Sequence, residues 1–132
     1  MSKLIKGTHH IALKCVGYAA FQKTVSFYVD TLGLEVVRTW GEGDSSGIML
    51  DTGNSMLEIF ANGTEDAPEG NIRHFALETD DVEACVKAVR EAGYTITVET
   101  VDKAIPSDPP FPIRIAFCIG PVGESLEFFH AR

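Results

Sequence analysis

The strings "HIAL", His10–Leu13, and "HFAL", His74–Leu77, decide how this chain is read, because each opens the same succession of elements. Around the first, "THHIALKCV" has the alternation of a strand. In "YAAFQKTVSFYVDTLG", Phe21, Val25, Tyr28 and Leu32 recur at helical spacing, with Gly33 placed to end the helix. Three short strand-like runs follow, "LEVVRTW", "GIMLD" and "SMLEIF", separated by the turn-rich "GEGDSS" and "TGN". Around the second, "NIRHFALET" reads as a strand and "DDVEACVKAVREAG" as a helix. Asp80 stands as its N-cap, Glu83 as the capping-box partner, Val82, Val86 and Val89 as its apolar face, and Gly93 as its stop. "YTITVETV", "PIRIAFCIG" and "SLEFF" are strand-like again, with the proline-rich loop "DKAIPSDPPFP" among them. Both halves therefore read β-α-β-β-β, and "ANGTEDAPEG" is the polar linker between a first module over about residues 7–61 and a second over about 71–131.

The halves also end alike. "MLEIF" (Met56–Phe60) and "SLEFF" (Ser125–Phe129) place Glu58 and Glu127 at matching points, at nearly the same offset as the histidines. Strand alternation puts His10, Ala12 and Lys14 on one face and Ile11, Leu13 and Cys15 on the other, which would pack under the helix. The same count sets His74, Glu58 and Glu127 on the helix-free face. Two imidazoles and two carboxylates there would be costly to bury unpaired, and a divalent metal is the simplest compensation.

Composition sets the frame. A chain of 132 residues, 45% hydrophobic and 23% charged, suits one domain built from two small halves. A net charge of −8 argues against a nucleic-acid partner. Cys15, Cys85 and Cys118 are odd in number and set in apolar runs, which reads as buried thiols in a reducing, cytoplasmic setting. No apolar run approaches the roughly 18 residues that span a bilayer, and "MSKLIKGTHH" lacks the apolar region of a signal peptide.

With "HIAL", "FYVDTLGL" (Phe27–Leu34), "LEIF", "HFAL" and "GPVGESLEFF" in this order, the chain resembles the vicinal oxygen chelate superfamily of glyoxalases, bleomycin-resistance proteins and dioxygenases over nearly its whole length. The resemblance implies an α+β fold in which two βαβββ modules form a curved mixed sheet around a metal site. Carried over position by position, it makes His10, Glu58, His74 and Glu127 the metal ligands. A full set of two histidines and two glutamates is more similar to glyoxalase I than to extradiol dioxygenases or fosfomycin-resistance proteins, which use one glutamate, or to methylmalonyl-CoA epimerases, which have glutamine at the Glu58 position. The glyoxalase I branch also implies substrate contacts at Asn62 and Lys14, although it has arginine at the latter. Its "DP-x-G" turn is "GPVG" here, and "CVGYAAFQ" lengthens the first strand-to-helix connection.

The expected activity is that of a lactoylglutathione lyase-like, metal-dependent lyase or isomerase, with nickel, zinc, cobalt or manganese compatible with the ligands. The metal would act as a Lewis acid toward an enediolate, formed when a glutamate takes a proton from carbon next to a carbonyl. The resemblance gives that base role first to Glu127, then to Glu58. It also implies a homodimer and a small-molecule substrate, with a thiol adduct such as that of glutathione among the candidates. Two other readings stand beside it: a small-molecule binding or resistance protein, and an iron(II)-dependent extradiol dioxygenase. His9, on the opposite strand face, and His130, at the C-terminal end, fall outside the expected site.

Overall fold

Leu126 and Phe128 are fully buried while Glu127 between them faces the other way, and in the computed structural model Leu57 and Ile59 flank Glu58 in the same manner. The structure describes residues 8–65 and 73–132. The first half runs β1 (His10–Lys14), α1 (Tyr18–Ser26), a wide helical turn over Phe27–Thr31, β2 (Glu35–Trp40), a tight turn over Gly43–Ser45, β3 (Gly47–Asp51) and β4 (Met56–Phe60). The second runs β5 (Phe75–Glu78), α2 (Val82–Glu91), β6 (Ile96–Ile105), β7 (Phe111–Ile119) and β8 (Ser125–Ala131).

The strands make two separate four-stranded mixed sheets, ordered β1-β4-β3-β2 and β5-β8-β7-β6. In each, the first strand, which opens at or just after the histidine, lies parallel to the glutamate-bearing one, and the other pairs are antiparallel. Registers match across the repeat: Ala12 is opposite Glu58, and Ala76 opposite Glu127. The expected order of elements is thus present in both halves.

Each sheet keeps its helix on one face only. Val82, Val86 and Val89 of α2 are buried, as their spacing requires, and so are Phe21 and Tyr28 of the first helical segment. They join Cys15, Leu57, Ile59, Ala116, Cys118, Leu126 and Phe128 in one core that spans both halves. Inside it, the rings of Phe27 and Tyr94 meet edge to face with centroids 4.7 Å apart. The Tyr28 hydroxyl donates to Glu124 Oε2 at 2.7 Å, with both residues buried. This bond ties the first half to the turn before β8. Burial raises the Glu124 carboxyl above the usual range, while Tyr28 and the Val122 N–H oppose that rise. Burial first, and Glu124 second, raise the Tyr28 phenol well above its ordinary value.

Three local readings change. The N-cap of α2 is Asp81, not Asp80: its carboxylate accepts from the Ala84 N–H at 3.0 Å. The first helix widens at its end, where the Leu32 N–H reaches the Phe27 carbonyl, before Gly33 (φ +81) reverses the chain. β6 continues through Ile105, so Asp102–Ile105 are strand instead of loop, held by pairing with Phe111–Arg114 up to the break at Pro106. Cys15 and Cys118 are buried and Cys85 half-buried, all three outside any disulfide, and burial pushes the Cys118 thiol up to about 12. The linker expected over residues 61–70 is described as far as residue 65. The rest of it, and the start of "NIRHFALET", lie outside the described residues.

Candidate metal and substrate site

On β1 and β4 the sequence alternation is obeyed: Leu57 and Ile59 enter the core, which turns Glu58 to the helix-free face. Glu58 is diagonal to His10 across the parallel pair, and His10 Nε2 lies 3.4 Å from Glu58 Oε1. On β5 and β8 the arrangement recurs, with His74 Nε2 3.3 Å from Glu127 Oε1. Both carboxylates are largely covered, their side chains 12% and 11% exposed, whereas the imidazoles are 38% and 45% exposed. Each pair therefore offers an imidazole nitrogen and a carboxylate oxygen toward the same open space.

The structure brings the four expected ligands together as two pairs. Among the described residues, no three His, Cys, Asp or Glu side chains gather closely enough to hold a metal ion. Imidazole nitrogen and carboxylate oxygen are fitting donors for a divalent transition metal, so each pair fits as half of a coordination set.

The rows around the two pairs differ in chemistry. Directly paired residues share a face, so one row of the first sheet reads Arg38, Met49, Glu58, Ala12, and the equivalent row of the second reads Val98, Phe117, Glu127, Ala76. The next rows read Trp40, Gly47, Phe60, Lys14 and Val101, Ile115, Phe129, Glu78. Trp40 lies directly over Gly47, where a Cβ would come within 2.2 Å of its ring, and it meets Phe60 at 6.0 Å. In the second sheet the His74 ring stands edge-on to Phe117 at 5.2 Å, and Phe111 meets Phe129 at 6.1 Å.

Lys14 thus shares the face of His10. Asn62 is exposed just beyond β4, in a backbone bridge to Val16. Two neighbours of the site escaped the sequence reading. His9, expected on the opposite face, turns its Nδ1 to within 2.9 Å of His10 Nδ1, because it precedes the regular strand. Arg38, in a run that reads only as an ordinary strand, reaches Met49 Sδ at 3.3 Å in the row that holds Glu58. The signal for Arg38 was its strand parity, usable only with the β2–β3 register.

Residues 7–105 match the family model described as Glyoxalase/Bleomycin resistance protein/Dioxygenase superfamily. No curated protein matches the chain. Among solved structures, the glyoxalase family protein from Enterococcus faecalis is similar at 26% identity, covering 96% of this chain and 99% of that one, with a TM-score of 0.69. A glyoxalase/bleomycin resistance protein/dioxygenase from Alicyclobacillus acidocaldarius is similar at 19% identity, over 96% and 92% of the two chains, with a TM-score of 0.68. TnmS3, an antibiotic binding protein from Streptomyces sp. CB03234, is similar at 20% identity over 99% and 100%, with a TM-score of 0.70. These last two likenesses concern the fold. No helix among the described residues is long and apolar enough to cross a membrane.

Proposed function

The chain belongs to the glyoxalase/bleomycin resistance protein/dioxygenase superfamily, and on that premise we propose that it is a metal-dependent, glyoxalase I-like lyase or isomerase whose site is completed between two copies of the chain. The observation that carries this reading is the pair of His–Glu half-sites, at equivalent places in the repeat and with Nε2–Oε1 spacings of 3.4 and 3.3 Å. A two-fold dimer would set His10 and Glu58 of one copy against His74 and Glu127 of the other, and symmetry would make the second site identical. The open faces carry apolar groups that a dimer would cover, among them Trp40, Ile105 and Phe111.

A divalent cation held by the four residues would act as a Lewis acid toward two neighbouring oxygens of a substrate. Glu127 then takes the proton from the carbon next to the carbonyl and returns it to the adjacent carbon, so the substrate is rearranged without net loss of atoms. Its carboxylate is suited to this role because it is shielded from water, stands beside Phe117, and has one imidazole at 3.3 Å to orient it. Glu58 is the second candidate for the base. The reference substrate is the hemithioacetal of an α-ketoaldehyde and a thiol such as glutathione.

The test is complementation. His10→Ala and His74→Ala chains should each lose most of their metal and turnover alone, yet mixed dimers should regain one intact site each. No recovery on verified subunit exchange would refute a shared site. Glu127→Gln should keep the metal while turnover falls by roughly a hundred- to ten-thousand-fold. A second reading, that the chain sequesters an apolar small molecule, draws on the apolar rows of the second sheet and on the fold it shares with TnmS3. Binding without turnover under every candidate metal would favour it, whereas substrate-dependent oxygen uptake would favour an iron-dependent dioxygenase.

A further inference from the structure

The repeat makes the two halves of the site comparable position by position, and at those positions they have diverged. Where the first sheet has Arg38 and Lys14, the second has Val98 and Glu78. Where the first has Met49 and Gly47, the second has Phe117 and Ile115. Ile113 and Ile115 are only 5% and 6% exposed yet stand apart from the main core, so they are covered by open-face neighbours. Together with Phe111, Phe117 and Phe129 they form an apolar, aromatic wall next to His74 and Glu127.

The first half-site is cationic instead. Among the described residues neither Arg38 nor Lys14 has a carboxylate partner; the Arg38 guanidinium donates to the Met49 sulfur. A guanidinium without a carboxylate partner, in the same row of the open face as Glu58, is placed to receive an anion. The amides of a peptide-like thiol adduct would lose water against the Phe117 and Ile115 wall without gaining hydrogen bonds there.

We propose that the site takes an amphiphilic anion, its aryl-sized apolar body lying on the Phe117, Ile115 and Phe129 wall and its carboxylate received by Arg38, with Lys14 beside it. The proposal rests on the preceding reading, since the wall and the cations belong to different half-sites that face one another only when two copies meet. It narrows the substrate class to carbonyl compounds bearing an apolar ring and a separate negative charge.

The experiment compares three probes by isothermal titration calorimetry on metal-loaded, dimeric protein: 3-phenylpropionate, its neutral amide 3-phenylpropanamide, and propionate. The acid should bind about tenfold tighter than the amide, the effect of one charge-assisted pair. It should also bind at least about tenfold tighter than propionate, the effect of burying the ring. Arg38→Gln should abolish the first ratio and leave the second, while Phe117→Ala should reduce the second and leave the first. Wild-type ratios near one would overturn the proposal without any variant. A preference for the acid that survives Arg38→Gln would overturn it too, because the anion would then be held elsewhere. A protein that light scattering finds monomeric, or metal analysis finds empty, fails the preceding reading and this one together. A dimeric, metal-loaded protein that lacks the preferences fails this one alone.

Discussion

Replacing Tyr28 by Phe removes one oxygen atom from the junction of the two halves, and the structure fixes how the cost should depend on pH. The lost bond is the 2.7 Å donation from the Tyr28 hydroxyl to Glu124 Oε2 inside the core. Burial raises the folded pKa of Glu124, and the Tyr28 bond lowers it. A group raised in the folded state contributes stability that is complete below its unfolded value, about 4.3, and is lost as the pH rises through the folded value. Without Tyr28 the folded value rises further, so the loss on going to neutral pH is larger in the mutant than in the wild type. At pH 7, for the ionised fraction of Glu124, the change deletes a hydrogen bond to a buried charged acceptor, about 1.5–3 kcal/mol. Near pH 3, below the unfolded value, Glu124 is mostly protonated in the folded and the unfolded chain alike and the cost falls to about 0.5–1.5 kcal/mol, that of a neutral bond. Urea unfolding followed by circular dichroism, at both pH values and one fixed protomer concentration, measures the two costs. Equal costs at both pH values, or a larger cost in acid, would refute the account of Glu124 as a carboxylate held down by Tyr28.

Asp81→Ala should destabilise by about 1 kcal/mol, the loss of an N-cap, and Asp80→Ala by much less; urea midpoints separate them. Phe128→Ala should cost about 3–5 kcal/mol, since that ring is fully buried, whereas Phe129→Ala on the open face should cost less and weaken aryl ligand binding instead; paired unfolding and titration runs check this. Protein purified without added metal should contain about one divalent ion per half-site pair, and a His10→Ala, His74→Ala double mutant should contain almost none by elemental analysis.

Strand parity carried most of the sequence reading. Leu57 and Ile59 against Glu58, and Leu126 and Phe128 against Glu127, assign the faces of β4 and β8 from the order of residues alone, and the repeat then assigns β1 and β5. Helix periodicity likewise placed Val82, Val86 and Val89 in the core. Pairing was not legible, because a strand's own sequence does not say which residue stands opposite. Arg38 therefore gave no sign of its place beside Met49 and Glu58, nor Phe117 of its place beside Glu127. Adjacent Asp80 and Asp81 are equivalent caps by residue type, and only the backbone angle at the helix entry chooses Asp81. His9 departs from simple alternation because it stands outside the regular part of β1. The placement of one His–Glu pair relative to the other is a matter of how the halves dock, which depends on Tyr28, Phe27 and Tyr94 rather than on the site residues.

The stacking of Trp40 over Gly47 has an optical consequence. Trp40 is the chain's single tryptophan, it is 37% exposed, and it stands on the open face of the first sheet, away from the core that joins the halves. Its emission therefore reports the wetness of that face and not the integrity of the core. Covering the face should move the emission to shorter wavelength while the backbone signal stays constant, so one sample distinguishes closure over the site from folding of the chain without any added dye or label.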